Sequence, residues 1–227
     1  MPSMPGMGMP GMPGMPGAAP GAGAPLTLGG PPQTVQVPAP PETPLAITEA
    51  GEYQIDAIGE PMDAELYVYQ GDTLVANDRD SGGSSNARLV DFLAPGAYTL
   101  RVMEYRARPM TVRLQAQRLP PLPPAGAVTP GAPLQVQAPQ GGDVRSACRE
   151  VTLNIAAPGM YQITASSPGF DAELDLIQNG ARLEHDSDSG GERAAKIRRD
   201  LQPGAYTLRV WDYQKRAAQI TIAVTSG

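Results

Sequence analysis

From about Ile47 onward, apolar residues fall on every second position. Tyr53, Ile55 and Ala57 alternate with Gln54 and Asp56, and Leu66 and Val68 with Tyr67 and Tyr69. Tyr98, Leu100 and Val102 alternate with Thr99, Arg101 and Met103, and Val112 and Leu114 with Thr111 and Arg113. A period of two marks a strand with one face in a core. Between the runs stand the turn signals Gly71-Asp72, Ser81-Gly82-Gly83 and Pro95-Gly96, at the spacing of a sandwich or barrel. The pattern then repeats: Tyr206 − Tyr98, Asp186 − Asp78 and Ile155 − Ile47 all give 108. The same offset carries Gly23-Ala24-Pro25-Leu26 onto Gly131-Ala132-Pro133-Leu134, so the duplicated unit is expected to include a lead-in segment.

The predicted fold is all-β: two tandem antiparallel β-sandwich modules behind a disordered N-terminal tail rich in Met, Pro and Gly. The expected divisions are a tail over 1–44, a first module over 45–117, a Pro-rich connector and lead-in segment over 118–152, and a second module over 153–227. Proline removes backbone donors and glycine adds chain entropy, so the tail reads as flexible and partly polyproline II. Its spaced methionines (Met4, Met7, Met9, Met12, Met15) offer the alternative of an adaptable sticky surface or a soft-metal tract. Leu119-Pro-Pro-Leu-Pro-Pro124 reads as a stiff spacer, with a Pro-x-x-Pro ligand as the alternative.

Charge and cysteine use narrow the function classes. The net charge of −6 comes with interleaved rather than clustered basic residues, which argues against nucleic acid. The first module holds most of the excess, with 11 acids against 6 bases between residues 47 and 117. Cys148 is the single cysteine, so no intrachain disulfide or multi-cysteine zinc site can form, and a small structural thiol is expected. No stretch has the roughly 18 apolar residues of a transmembrane helix, and the chain as given shows no signal peptide.

Leu93-x-Pro-Gly-x-Tyr98 and Leu201-x-Pro-Gly-x-Tyr206 match a tyrosine corner, in which the tyrosine hydroxyl bonds back to the backbone of the preceding turn. Asp78-x-Asp80-Ser-Gly-Gly and Asp186-x-Asp188-Ser-Gly-Gly place two carboxylates on a bendable loop, the start of a calcium site. Asp63 and Asp171 are the further candidate ligands. The pattern is not an EF-hand, because position twelve is Leu89. The alternative is an Asx turn, with each aspartate accepting loop amide bonds. No cofactor is required by this reading, and calcium is the one candidate. On the outward face of the last long strand, Arg101, Met103 and Tyr105, and again Arg209, Trp211 and Tyr213, have the composition of a peptide- or sugar-recognition surface. They could equally pack against the connector or the other module. His185 is matched by Asn77 in the first copy, and Ser187 and Ser189 beside it make no catalytic set, so no enzyme is expected.

Tyr53-Gln-Ile, Asp63-Ala-Glu-Leu66, the loop from Asp78 to Gly83 and Pro95-Gly-Ala-Tyr-Thr-Leu-Arg-Val102, with their copies at 161, 171, 186–191 and 203–210, resemble the bacterial pre-peptidase C-terminal (PPC) domain family. The resemblance implies a jelly-roll-like sandwich, a non-catalytic module of exported proteins with roles in substrate binding or secretion, and calcium in some collagen-binding members. No peptidase domain lies within these residues, and the lead-in offers only Glu42 where those members are acid-rich. The expected function is therefore a non-catalytic binding module of the cell envelope, periplasm or exterior, engaging a protein or extracellular polymer through exposed strand faces. The alternatives are an assembly subunit that forms homo- or hetero-oligomers through the tail and edge strands, and a calcium-dependent accessory domain of a secreted hydrolase.

Overall fold

The computed structural model describes residues 23–37, 42–59, 63–84 and 86–227. The spaced methionines and most of the expected tail lie outside them. The first module is two antiparallel sheets of four strands each. The back sheet runs in the order β1 (Gln33–Val37), β8 (Met110–Arg118), β3 (Gly51–Ile58), β6 (Ala87–Leu93). The front sheet runs β2 (Thr43–Ile47), β7 (Gly96–Glu104), β4 (Ala64–Gln70), β5 (Thr73–Asp78). The alternation decides which side chains meet between the sheets. Tyr53, Ile55 and Ala57, then Leu66 and Val68, Tyr98, Leu100 and Val102, and Val112 and Leu114 are all buried in one core.

The second module repeats this. Its back sheet is β10 (Leu134–Ala138), β17 (Ala218–Ser226), β12 (Gly159–Ser166), β15 (Ala195–Leu201). Its front sheet is β14 (Ala181–Asp186), β13 (Ala172–Gln178), β16 (Gly204–Asp212), β11 (Arg149–Ile155), with the short β9 (Ala127–Val128) parallel to β11. Even the bulge recurs, between Val68 and Tyr69 in β4 and between Leu176 and Ile177 in β13.

The ordered units begin earlier than the expected boundaries. Leu26, Val35 and Val37 are part of the first core, so that core starts well before residue 45. Val128, Val136, Ala138 and Val151 belong to the second core, so 118–152 is only in part a connector. The offset of 108 also fails in the lead-in. Gly29 N–H donates to Ala116 O at 2.8 Å and Gly131 N–H to Val224 O at 2.9 Å, which makes Gly131 the counterpart of Gly29 (131 − 29 = 102) rather than of Gly23. Along β1 and β10 the offset is 101, since Val37 pairs with Met110 and Ala138 with Ala218, and the difference of seven from 108 is made up before β11. Thr43 − Val37 spans 6 residues and Val151 − Ala138 spans 13, so the second module carries seven more. Into that stretch falls a single helical turn, α1 (Val144–Ala147). Asp143 caps it by accepting from Ser146 N–H at 2.7 Å, and the Ser146 hydroxyl reaches back to the Asp143 amide at 3.1 Å.

Candidate interaction surface and the seam between modules

Both tyrosine corners are made. The Tyr98 hydroxyl donates to Ala94 O at 2.8 Å and that of Tyr206 to Gln202 O at 3.0 Å. A second pair of the same form was not expected: Tyr53 to Glu49 O at 2.7 Å and Tyr161 to Ala157 O at 2.8 Å. The only sequence signal for it is the tyrosine two residues past Gly51 and Gly159, at the start of a strand.

The aspartate loops are turns. Asp78 Oδ1 accepts from Ser81 N–H at 3.0 Å and Arg88 N–H at 2.9 Å, and Asp186 Oδ2 from Ser189 N–H at 3.1 Å and Lys196 N–H at 2.8 Å. Burial works against the charge on Asp186, but the bonds from Ser189 and Lys196 outweigh it and hold the carboxyl below its usual range. Asp80 and Asp188 point to solvent. Among the described residues, the buried Oδ1 atoms of Asp63 and Asp171 accept no hydrogen bond. Burial first, and the neighbouring Asp80, Glu65 and Glu104 next, raise the Asp63 carboxyl. Among the described residues no group of three or more His, Cys, Asp or Glu side chains is arranged to hold a metal ion. The hydroxyl of Ser189 is bonded to Asp186, not presented to His185.

The six residues expected on an outward binding face separate into two fates. In the first module Arg101 is half exposed, and Met103 (46%) and Tyr105 (64%) are open to solvent. In the second, Tyr213 is open, but Arg209 (3%) and Trp211 (6%) are buried, so for this pair the exposed-face reading fails and the alternative, a packed face, holds. Arg209 is covered by the neighbouring module, through Glu52 and Phe92, and Trp211 carries the His185 ring of its own module. The outer face of the second front sheet packs against the outward side chains of β3 and β6 in the first module, forming a charged seam.

Arg209 is the centre of that seam. Its guanidinium bonds Glu52 at 2.6 Å and Glu150 at 2.6 Å and lies 4.6 Å over the Phe92 ring. Burial alone would lower the guanidinium pKa; Glu52 and Glu150 more than offset that and raise it. Arg145 on α1 joins the cluster by pairing with Glu52 and by donating to Pro120 O at 2.6 Å. Farther along, Arg182 pairs with Asp91 at 2.9 Å. Asn179 and Gly180 turn the β13–β14 hairpin with φ of 52° and 77°, and Gly180 sits so close to the first module that a Cβ there would come 2.5 Å from Ala50 O. Cys148 is buried behind α1, and burial pushes its thiol up to about 11, the reverse of a nucleophile.

At one end of the seam His185 stacks on Trp211, with ring centroids 5.8 Å apart. Its Nδ1 lies 2.9 Å from Asp175 Oδ1 and its Nε2 3.3 Å from Glu173 Oε2. The Asp175 bond raises the histidine pKa, and burial, with Asp171, Asp188 and Asp175 adding to it, pushes Glu173 up to about 7. A cleft of about 280 Å³ opens beside this cluster, between Asp91, Arg182, Trp211 and Asp143. Several of its charged walls are paired with one another, Asp91 with Arg182 and Glu52 with Arg145 and Arg209.

Sequence reasoning missed Glu52, Asp91 and Phe92, the first-module half of the seam. A signal was present: the copies of these positions are Met160, Arg199 and Asp200, a change of chemistry at each.

No family model and no curated protein matches the chain. Among solved structures, the chain is similar to the pre-peptidase C-terminal domain of a collagenase from Bacillus anthracis, at 14% identity over 47% of this chain and 100% of that one, with a TM-score of 0.38. It is also similar to an anti-sigma factor domain-containing protein, at 11% identity over 82% of this chain and 80% of that one, with a TM-score of 0.25. Similarity at this level does not bear on activity. Among the described residues no helix is long and apolar enough to cross a membrane.

Proposed function

We propose that this chain is a non-catalytic interaction protein of the cell envelope or exterior, and that it engages a protein partner through the outer face of the first module's front sheet. One observation carries the reading. Of the five large apolar side chains left exposed among the described residues, Leu74, Val75, Met103 and Tyr105 gather on that sheet or its β5 edge. Tyr67 and Tyr69 lie on the same face, with Arg101 stacked 4.4 Å over the Tyr69 ring. Aromatic, methionine and arginine side chains around an apolar centre are the composition of a protein-binding surface. The exported setting is supported by the repeated motifs that resemble the PPC family.

A photo-crosslinking amino acid at Met103 or Tyr105, in cells that make the full chain, tests the reading against the same probe at Glu192 on an exposed loop. Light-dependent adducts to protein from the two face positions, and not from Glu192, are expected. Absence of adducts from the face, or equal adducts from all three positions, overturns it.

A further inference from the structure

The seam joins two unlike surfaces. A front-sheet outer face (second module) meets a back-sheet outer face (first module), a head-to-tail contact between copies of one duplicated unit. Each module has both surfaces, so among the described residues one of each remains uncovered: the first module's front face and the second module's back face. We infer that these two pair between chains, the first module's front sheet docking on β12 and β15 of a second copy. The inference rests on the reading above for its choice of face and adds the partner.

The correspondence extends to atoms. In the seam, Arg209 is held from its own module by Glu150, through Nε at 3.1 Å and Nη2 at 2.6 Å. On the free face Arg101 is held by Glu42 in the same way, through Nε at 2.9 Å and Nη2 at 2.6 Å. The guanidinium is thus already oriented and lacks only the partner that Glu52 provides in the seam. Glu52 and Phe92 face each other across β3 and β6 as one acid and one apolar residue. Their counterparts Met160 and Asp200 face each other across β12 and β15, again one apolar residue and one acid, with the order exchanged. Asp200 is exposed and has no ion-pair partner among the described residues, so an acid for Arg101 and an apolar side chain for Tyr69 and Met103 stand ready. Arg198 takes the place of Val90 on that strand and brings a cation to a module with an acid excess. Trp211, buried by the seam, corresponds to Met103, and Arg182 to Leu74, so the free face is the more apolar of the two and suits an intermolecular contact.

A contact between unlike faces does not end with two copies. It runs on or closes into a ring. The seam within one chain has the advantage of a short connector, worth an effective concentration in the millimolar range, and of Arg145, which lies in the seven-residue insertion. The contact between chains is accordingly weaker.

Sedimentation equilibrium of the purified full chain from ~10 μM to ~1 mM reads it out. The weight-average mass is expected to rise steadily from the one-chain value of 23.7 kDa, by about twofold or more at the upper end. Arg101→Glu places like charges against Asp200 of the next copy, and Asp200→Arg places like charges against Arg101. Each variant alone is expected to stay at the one-chain mass, with circular dichroism and melting confirming its fold. An equimolar mixture of the two restores opposite charges at both contacts and is expected to recover the mass rise. A wild type that stays monomeric at ~1 mM overturns the inference, as does self-association that neither substitution changes. If a monomeric wild type nevertheless gives face-specific adducts to other proteins in cells, the self-pairing fails while the proposed binding face stands.

Discussion

The two front sheets share four strands, the same bulge and the same Arg–Glu pair, yet one face is buried and the other open. In the second module, Arg209 sits between Glu52 and Glu150 at 3% exposure, Trp211 is covered at 6%, and His185 lies over it. In the first, Arg101 keeps its glutamate but stays half in water, with Met103 and Asn77 where the other face has Trp211 and His185. Strand alternation settles only that a side chain leaves the core. Whether it then meets water or another module depends on residues more than a hundred positions away. The energetic meaning of one ion pair changes accordingly, because the cost of removing one partner grows as the remaining charge loses its solvent.

The largest expected effect makes that difference measurable. Arg209→Ala leaves Glu52 and Glu150 facing each other in a buried seam and is expected to cost about 3–5 kcal/mol. Arg101→Ala, at the equivalent open position, is expected to cost far less, because water screens the exposed pair with Glu42. Urea unfolding of both variants checks it, with the loss falling on the transition that reports Trp211, the single tryptophan. Equal losses at the two positions would mean that the seam does not bury its charges.

Next in size is Gly180→Ala. The residue has φ of 77°, and its missing Cβ would meet Ala50 O at 2.5 Å, so both the backbone and the seam resist a methyl group. A cost of about 1–3 kcal/mol is expected. Its counterpart in the first module is Asp72, exposed at the tip of the β4–β5 hairpin, and Asp72→Ala is expected to change stability by no more than about 0.5 kcal/mol.

The corners come third and serve as the control in which the modules should agree. Tyr98→Phe and Tyr206→Phe each remove one hydroxyl bond of 2.8 or 3.0 Å and are expected to cost about 1 kcal/mol apiece. They lie inside their own modules, so neither should change the other's response to Arg209→Ala. Coupling in a double-mutant cycle would show that the corner and the seam are one structure.

What was legible in the sequence followed from local physics. Ile55 and Leu100 announce buried faces because a strand repeats every two residues, and Pro95-Gly96 announces the corner because the turn needs those dihedrals. The Asx turns at Asp78 and Asp186 were present as one of two readings, since a carboxylate on a bendable loop lies within reach of its own loop amides. Leu26 and Val35 were not legible as core: they stand in a Pro- and Gly-rich stretch with little alternation, and their pairing with Leu45 and Val112 is long-range. The shift from 108 to 102 was hidden by a chance match at Gly131-Ala132-Pro133-Leu134. For Arg209 and Trp211 an open face and a packed one stood as equal readings, because strand alternation cannot tell water from a second module. Met160, Arg199 and Asp200, where the copies of Glu52, Asp91 and Phe92 change chemistry, were a trace of the seam in the chain itself.

The smallest effect sharpens the comparison where the faces differ most, at the histidine. Glu173 has its carboxyl raised to about 7 by burial among Asp171, Asp175 and Asp188, and the bond to Asp175 raises His185. Between the ordinary carboxylate pKa near 4.5 and about 7, the folded chain binds more of the Glu173 proton than the unfolded chain does. Stability from that group therefore falls as the pH rises through this window. His185 acts in the same direction: its contribution is complete below its ordinary value near 6.5 and is lost as the pH rises through its raised folded value. At the acid end, Glu104 and Asp212, held near 2 by bonds from Arg108 and Arg216, give stability that is present above their ordinary values of 4.5 and 3.8 and lost as the pH falls through about 2. Melting temperature is thus expected to be highest in mildly acidic buffer and to decline by a degree or two between about pH 5 and 8. Because His185, Asp175 and Glu173 touch, they titrate as a set. Glu173→Gln is expected to flatten the decline, and His185→Asn, which installs the first module's residue, to remove its upper part. A decline that survives both substitutions would place its origin outside the seam, and the histidine cluster would then be a structural filler between the modules.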